Sequence, residues 1–393
     1  MSRTTMVAEI MSRYAERTGL GSGAGSRRYL WTDAFAVCNL LALEEATGSG
    51  IWRDQALTLI DDVHHRLGRH RPDDARSGWI SGLSEVEGER HPTCGGLRIG
   101  KPLPERPPGA DLDLELEWER DGQYLHYLTR WMHALRQAAH VCDRPRLLEW
   151  ARELATTAFR AFRFEMPSGR QGLHWKMSTD LSRPLVSSTG QHDPLDAYLT
   201  GLELAEPALD DEIAWLAKRV EDGRWVTDDP LGLGGLMVDA DRAFQIEARG
   251  EKRMAGLALE LIGAAHEGLE MLVERAPWQA PPTHRLPFRE LGLAIGFEAL
   301  AALQGRLAAV DTAHQARLAE ELVCLLRDRP LGGALVAFWL DPQSRQQSPS
   351  WAAHEDINDV MLATALAPSG YIDLDRDPAL ERDVGTVSDH GRG

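Results

Sequence analysis

The chain has 393 residues, 43% apolar and 26% charged, enough to bury a large core and unlike a disordered or fibrous polymer. Its 43 Lys plus Arg against 60 Asp plus Glu leave a net charge of −17, which repels a phosphate backbone and argues against nucleic acid as a partner. Four scattered cysteines (Cys38, Cys94, Cys142, Cys324), with no CxxC pair and no zinc-type Cys/His spacing, suggest neither a disulfide framework nor a structural metal.

Residues 1–10 lack the apolar core of a signal peptide, and no stretch reaches the length that spans a bilayer. The expectation is a cytoplasmic protein with no membrane partner, no metal and no cofactor.

Taken in chain order, the pattern is helical. Helices are predicted near 4–17, 32–47, 51–68, 122–142, 145–163, 193–206, 208–222, 233–248, 251–274, 286–305, 310–328 and 354–366. Two kinds alternate. Trp52, Ala56, Leu59, Ile60, Val63 and Leu67 form one apolar stripe with Arg53, Asp54, Asp61 and Asp62 on the other side, as do Leu147, Ala151, Leu154, Ala158 and Phe162. Ala34 to Leu43 and Leu291 to Leu303 are instead apolar all round and require protein on most sides. Gly232, Gly234 and Gly235 lower helix propensity at the start of 233–248.

Strand signals are confined to loops. Leu112, Leu114, Leu116 and Trp118 alternate with acids at a period of two, which predicts a small β-hairpin there. The loop from about 69 to 121, with Pro92, Pro102, Pro104, Pro107 and Pro108, has the length of a lid over a site, and a second long loop covers 164–191. No low-complexity linker interrupts the chain, so one domain is expected over 1–375, followed by a flexible tail over 376–393.

About twelve helices, enclosed and amphipathic by turns, resemble an (α/α)6 barrel, an all-α toroid of six inner helices ringed by six outer ones. The segments before the inner helices, Arg28-Tyr-Leu-Trp-Thr-Asp33, Gly122-Gln-Tyr-Leu-His-Tyr127, Gly190-Gln-His-Asp193, His284 to Glu290 and Trp351 to Asn358, each mix aromatic with ionisable residues. In such a ring they converge on one mouth, as in the six-hairpin glycosidases and the N-acylglucosamine 2-epimerase group. Trp31-Thr32 after Arg27-Arg28, Tyr124 with His126, and Gln191-His192-Asp193-Pro194 are similar to stretches of the epimerase group. That group's catalytic histidine on the eighth helix has no counterpart, because no histidine occurs between His192 and His266.

The resemblance implies a carbohydrate-active enzyme acting on a small carbohydrate. Glycoside hydrolysis needs one carboxyl to protonate the leaving oxygen and a second to activate water or attack the sugar. Asp33, Asp193, Asp196, Glu290, Glu355 and Asp356 all fall in first turns of inner helices, where the exposed N–H groups also favour acids for purely structural reasons. The pair expected to act is Asp33 with Asp193, with Glu355 and Glu290 as substitutes. His126 and His354 are candidate proton carriers. Twelve of the 26 aromatics are Trp, and flat rings suit the apolar faces of sugars, so Trp31, Tyr124, Tyr127, Trp175 and Trp351 are expected to stack on substrate, with His192 and Arg289 binding its polar groups.

Two other readings fit the same residues. A sugar epimerase, isomerase or polysaccharide lyase would use Tyr124, His126, Tyr127 and Arg130 for proton abstraction, and a non-catalytic toroid would use the mouth to bind a glycan or a protein.

Overall fold

A computed structural model describes residues 1–21, 27–166, 168–169, 171–254, 256–308 and 313–374; the expected tail at 376–393 lies outside them. The long helices, numbered in chain order, are α1 (Arg3–Thr18), α2 (Leu30–Thr47), α3 (Gly50–Leu67), α4 (Leu125–Val141), α5 (Pro145–Phe162), α6 (Asp193–Leu204) and α7 (Asp210–Glu221). They continue with α8 (Pro230–Ala248), α9 (Leu257–Arg275), α10 (Pro287–Leu307), α11 (Ala313–Leu326), α12 (Arg329–Leu340) and α13 (Glu355–Leu366).

Local chemistry sets the boundaries. Ser2 caps α1 by accepting the Thr5 N–H at 3.1 Å, and Gly19, at φ 65°, ends it in the left-handed region open to glycine. Pro at the first or second position starts α5, α6, α8, α10 and α12, where its missing N–H costs nothing.

The helices that are apolar all round form the inner ring. Contacts run from α2 to α4, α6, α8, α10 and α13 and back to α2, closing the circle. Outside it, α1 packs on α2 and α13, α3 on α2, α5 on α4, α7 on α6, α9 on α8, and α11 and α12 on α10. This is the expected (α/α)6 barrel. The glycines that weaken the start of α8 serve its packing: a Cβ on Gly234 would lie 2.1 Å from the Gly292 carbonyl oxygen of α10. Only glycine lets these two backbones approach so closely.

The far end of the ring is plugged by the short helix Ser369–Ile372 with Asp373 and Leu374. Inner-helix side chains bind its backbone. His133 Nε2 lies 2.9 Å from the Tyr371 oxygen, Gln245 donates to Ile372 O at 2.8 Å, and Gln137 donates to Asp373 O at 2.7 Å.

Three expectations need correction. The alternating segment near 112–118 is not a hairpin: Leu114–Glu119 is a helix capped by Asp113, whose carboxylate accepts the Leu116 N–H at 3.1 Å. Leu112, Leu114, Leu116 and Trp118 are exposed, while Glu117 is buried against Lys176 at 2.9 Å, so the period of two corresponds to no buried strand face. The small antiparallel pairs are instead β1 (Gln123–Tyr124) with β4 (Lys176–Met177) and β2 (Arg163–Glu165) with β3 (Gln171–Leu173), so that β2, β3 and β4 lie in or beside the second long loop.

The sequence reading also passes over α12, a short apolar helix that adds a second outer element beside α10. Finally, the loop at 69–121, expected to complete the site, contributes no residue to the lining of the cavity described below. It packs beside the starts of α2 and α4, with the Leu30 N–H donating to Ile99 O at 3.0 Å and the Ile99 N–H to Gly122 O at 2.8 Å.

Candidate functional site

At the end of the ring where the inner helices start, a cavity of about 380 Å³ opens, lined by residues of all six: Trp31 of α2, His126 of α4, Asp193 of α6, Leu231 of α8, Gly292 of α10 and Met361 of α13. The pairing of β1 with β4 sets Trp175 beside the first turn of α4. Its ring lies nearly parallel to that of His126, centroids 6.2 Å apart, and meets Tyr124 at 5.2 Å. Trp118, half exposed on the long loop, touches Trp175 edge-on at 5.1 Å. Thus one wall is an aromatic ladder that ends at the cavity.

The facing acid is Asp193. The loop before α6 is held by the segment before α8, Gln191 donating to Arg224 O at 2.9 Å and Val226 O at 3.0 Å, and His192 Nε2 lying 2.9 Å from Trp225 O. This fixes the Asp193 carboxyl, 6% exposed, with Oδ1 3.8 Å from His126 Nδ1. Neither Asp193 Oδ2 nor His126 Nδ1 has a hydrogen-bond partner among the described residues. Burial, reinforced by neighbouring Asp196, pushes the Asp193 carboxyl up to about 7. Burial pushes His126 down to about 4, so the imidazole is neutral at physiological pH.

Beneath this pair lies a satisfied ionic floor. Arg242 bonds Glu203 at 2.6 Å, Asp239 at 2.7 Å, Asp196 at 3.0 Å and Thr200 at 3.1 Å, and Arg130 adds a second contact to Asp196 at 3.0 Å. Against a burial that would raise it, Arg130 and Arg242 hold Asp196 below the usual carboxylate range. Two acids three residues apart on one helix face are thereby driven in opposite directions. At the rim, Asp229 caps α8 by accepting the Gly232 N–H at 2.9 Å and pairs with Arg289. Tyr371, carried in from the C-terminal plug, closes the floor with its ring stacked on Phe35 at 4.5 Å.

Of the predicted site residues, Asp193, His126, Trp31, Trp175 and His192 line this cavity. Tyr124 and Tyr127 stand in a second layer, the Tyr127 hydroxyl 2.7 Å from that of Tyr29, and Arg289 is one shell back, on Asp229. The others are elsewhere. Asp33 does not share the cavity with Asp193; it is buried among Tyr14, which donates to it, Arg28 at 3.3 Å and the Tyr29 N–H at 2.8 Å. Glu290 is clamped by Arg285 at 2.8 and 2.5 Å and by the Trp339 indole at 2.7 Å.

Trp351 is a packing residue, stacked on Trp339 at 5.7 Å and covered by Arg345 at 4.5 Å. Glu355 is exposed and pairs with Arg17 at 3.4 Å, while exposed His354 stands beside Phe288. Asp229, Asp239 and Tyr371 enter the lining from outside the predicted set. Thr227-Asp-Asp-Pro230 carried a usable signal for the first of these, a helix cap ahead of proline at the mouth end of an inner helix.

No family model and no curated protein sequence matches this chain. Solved structures match its fold. A family 76 glycoside hydrolase from a bovine Bacteroides thetaiotaomicron strain is 10% identical, with 94% of this chain and 78% of that one covered at a TM-score of 0.54. The GH76A alpha-1,6-mannanase from Salegentibacter sp. HEL1_6 is 12% identical, with 93% and 99% covered at a TM-score of 0.52. A cellobiose 2-epimerase from Spirochaeta thermophila DSM 6192 is 11% identical, with 87% and 86% covered at a TM-score of 0.47. The chain thus shares its (α/α)6-barrel fold with the two glycoside hydrolases.

Proposed function

We propose that the cavity is the active site of a carbohydrate-active enzyme that hydrolyses a glycosidic bond of a short sugar. The observation that carries this reading is Asp193: a buried carboxyl with one oxygen unpartnered, protonated up to about pH 7, on the wall of a cavity flanked by Trp31 and Trp175. A carboxyl held neutral near physiological pH is what a general acid requires.

In this mechanism the Asp193 O–H gives its proton to the glycosidic oxygen as the C–O bond breaks. A water attacks the anomeric carbon and loses a proton to Asp229, whose oxygens already accept from the Gly232 N–H and Arg289 but which lines the cavity and is only half buried, so that a water can reach it. Trp31 and Trp175 offer ring faces to the sugar, and Arg130, Asp196 and Asp239, which line the cavity, offer donors and acceptors for its hydroxyls.

One observation supports proton abstraction next to a carbonyl, as in an epimerase or isomerase: neutral His126 has an unpartnered Nδ1 in the same cavity. Turnover of a panel of mono-, di- and oligosaccharides in heavy-oxygen water and in deuterium oxide separates the two. Oxygen label at the anomeric carbon with no carbon-bound deuterium is the expected result, and deuterium at carbon without oxygen label replaces hydrolysis by epimerisation. Binding without turnover across the panel would leave a glycan-binding toroid.

A further inference from the structure

Away from the cavity, three metal-ligating side chains of different chemistry meet on the outer wall of the barrel. His91 and Cys94 stand on the loop after α3 and Glu153 on α5, and one ligand atom from each lies within 4.8 Å of the others. His91 Nδ1 is 2.5 Å from Glu153 Oε1, and Cys94 Sγ is 3.7 Å from Oε2. A turn in which the Cys94 N–H donates to His91 O at 3.3 Å brings both side chains to Glu153. The turn is pinned to α5 by Thr93 donating to Trp150 O and Thr157 donating to Cys94 O, both at 2.9 Å. The sequence spacing alone suggested no metal, because the third ligand comes from a helix about sixty residues on.

We propose that His91, Cys94 and Glu153 bind one zinc-like divalent cation, leaving a fourth position for water. Zinc bonds of about 2.3 Å to sulfur and 2.0–2.2 Å to oxygen, at the tetrahedral angle, separate those donors by roughly 3.6 Å. Cys94 and Glu153 already stand at 3.7 Å. His91 bonds the other carboxylate oxygen, Oε1, so on binding through Oε2 the imidazole exchanges that hydrogen bond for the cation, the three ligand atoms standing within 4.8 Å of one another. With its side chain 44% exposed, His91 has room to do so.

One thiolate, one imidazole and one carboxylate suit zinc better than the all-oxygen shells of magnesium or calcium. On binding, the Cys94 S–H bond is replaced by a metal–sulfur bond and its proton leaves to solvent. His91 Nδ1, which donates to Glu153 Oε1 in the metal-free protein, gives up that proton to solvent and Nε2 takes one from solvent, so the neutral imidazole offers its Nδ1 lone pair with no net proton change. In the metal-free protein the Cys94 S–H donates to Glu153 Oε2 at 3.7 Å. The cation would clip the long loop to α5.

The test is calorimetric titration of the chelator-treated full chain with Zn²⁺, together with the absorption spectrum of its Co²⁺ complex. One equivalent of Zn²⁺ should bind with release of about one proton. The cobalt complex should show a near-ultraviolet thiolate-to-metal charge-transfer band. Cys94→Ser should abolish that band, and both it and His91→Ala should weaken Zn²⁺ binding at least about tenfold. Failure of the wild type to bind stoichiometric Zn²⁺, or equal affinity in Cys94→Ser, overturns the site. Should the variants not fold, a wild-type cobalt complex lacking the thiolate band overturns it alone.

Discussion

Asp193 and Asp33 occupy equivalent places: each lies in the first turn of an inner helix, each is buried, and burial lifts each carboxyl, to about 7 and about 6 respectively. Their surroundings differ. Asp33 is enclosed by Tyr14, Arg28 and the Tyr29 N–H, so both its oxygens are occupied by the protein. Asp193 has an oxygen with no partner and a cavity in front of it. Burial and position in the helix are therefore common to a structural and a chemical carboxyl, and the unsatisfied hydrogen-bonding capacity distinguishes them.

The contrast breaks most sharply with substitutions at the two sites. Asp193→Asn, nearly isosteric with a protonated Asp, should lower kcat by about 10²–10⁴ without lowering the thermal midpoint, and near neutral pH should raise it. Preserved turnover would remove Asp193 from the chemistry. Asp33→Ala should do the reverse, costing about 3–5 kcal/mol in denaturant unfolding because Arg28 and Tyr14 lose their buried partner. Any folded fraction should retain the wild-type KM.

Replacing Trp175 with Ala should raise KM or Kd for a sugar by about tenfold, on the order of one stacking contact, with a smaller rise for Trp118→Ala because that ring lies outside the cavity. Equal effects would extend the binding surface along the aromatic ladder.

The pH dependence sharpens the comparison further. An acid whose folded pKa is raised holds its proton to higher pH than the unfolded chain does. Its contribution to stability is full below the unfolded value of about 3.9 and is lost as pH rises towards about 7 for Asp193, by at most about 1.4 kcal/mol per pH unit. Asp193→Asn should flatten the stability profile over that window, leaving the share from Asp33 below about pH 6. In the same range kcat/KM should fall as pH passes through about 7, when the proton donor is lost. A rate that instead rises above pH 7 would assign Asp193 the role of base.

How much of this was legible in the residues follows from the range of the forces involved. Helix periodicity is local, and it located twelve of the thirteen long helices, sorted inner from outer and put the starts of the inner helices at one mouth. Asp193, His126, Trp31 and His192 stand at those starts and line the cavity together with the loop residue Trp175.

Periodicity failed where the partner decides. Leu112 to Trp118 alternates like a strand, but among the described residues no strand lies alongside it, and the Asp113 cap with a buried Glu117–Lys176 pair makes it a helix. Partner identity is equally invisible in the sequence. Asp33 meets Tyr14 across two helices, Glu290 meets Trp339 from α12, and Tyr371 reaches the cavity from the far end of the chain. Hydrophobic spacing along the chain thus determined the barrel and its open end, whereas tertiary packing alone decided which buried carboxyl is satisfied and which is left facing the cavity, because hydrogen-bond partners are set by contacts between residues far apart in sequence.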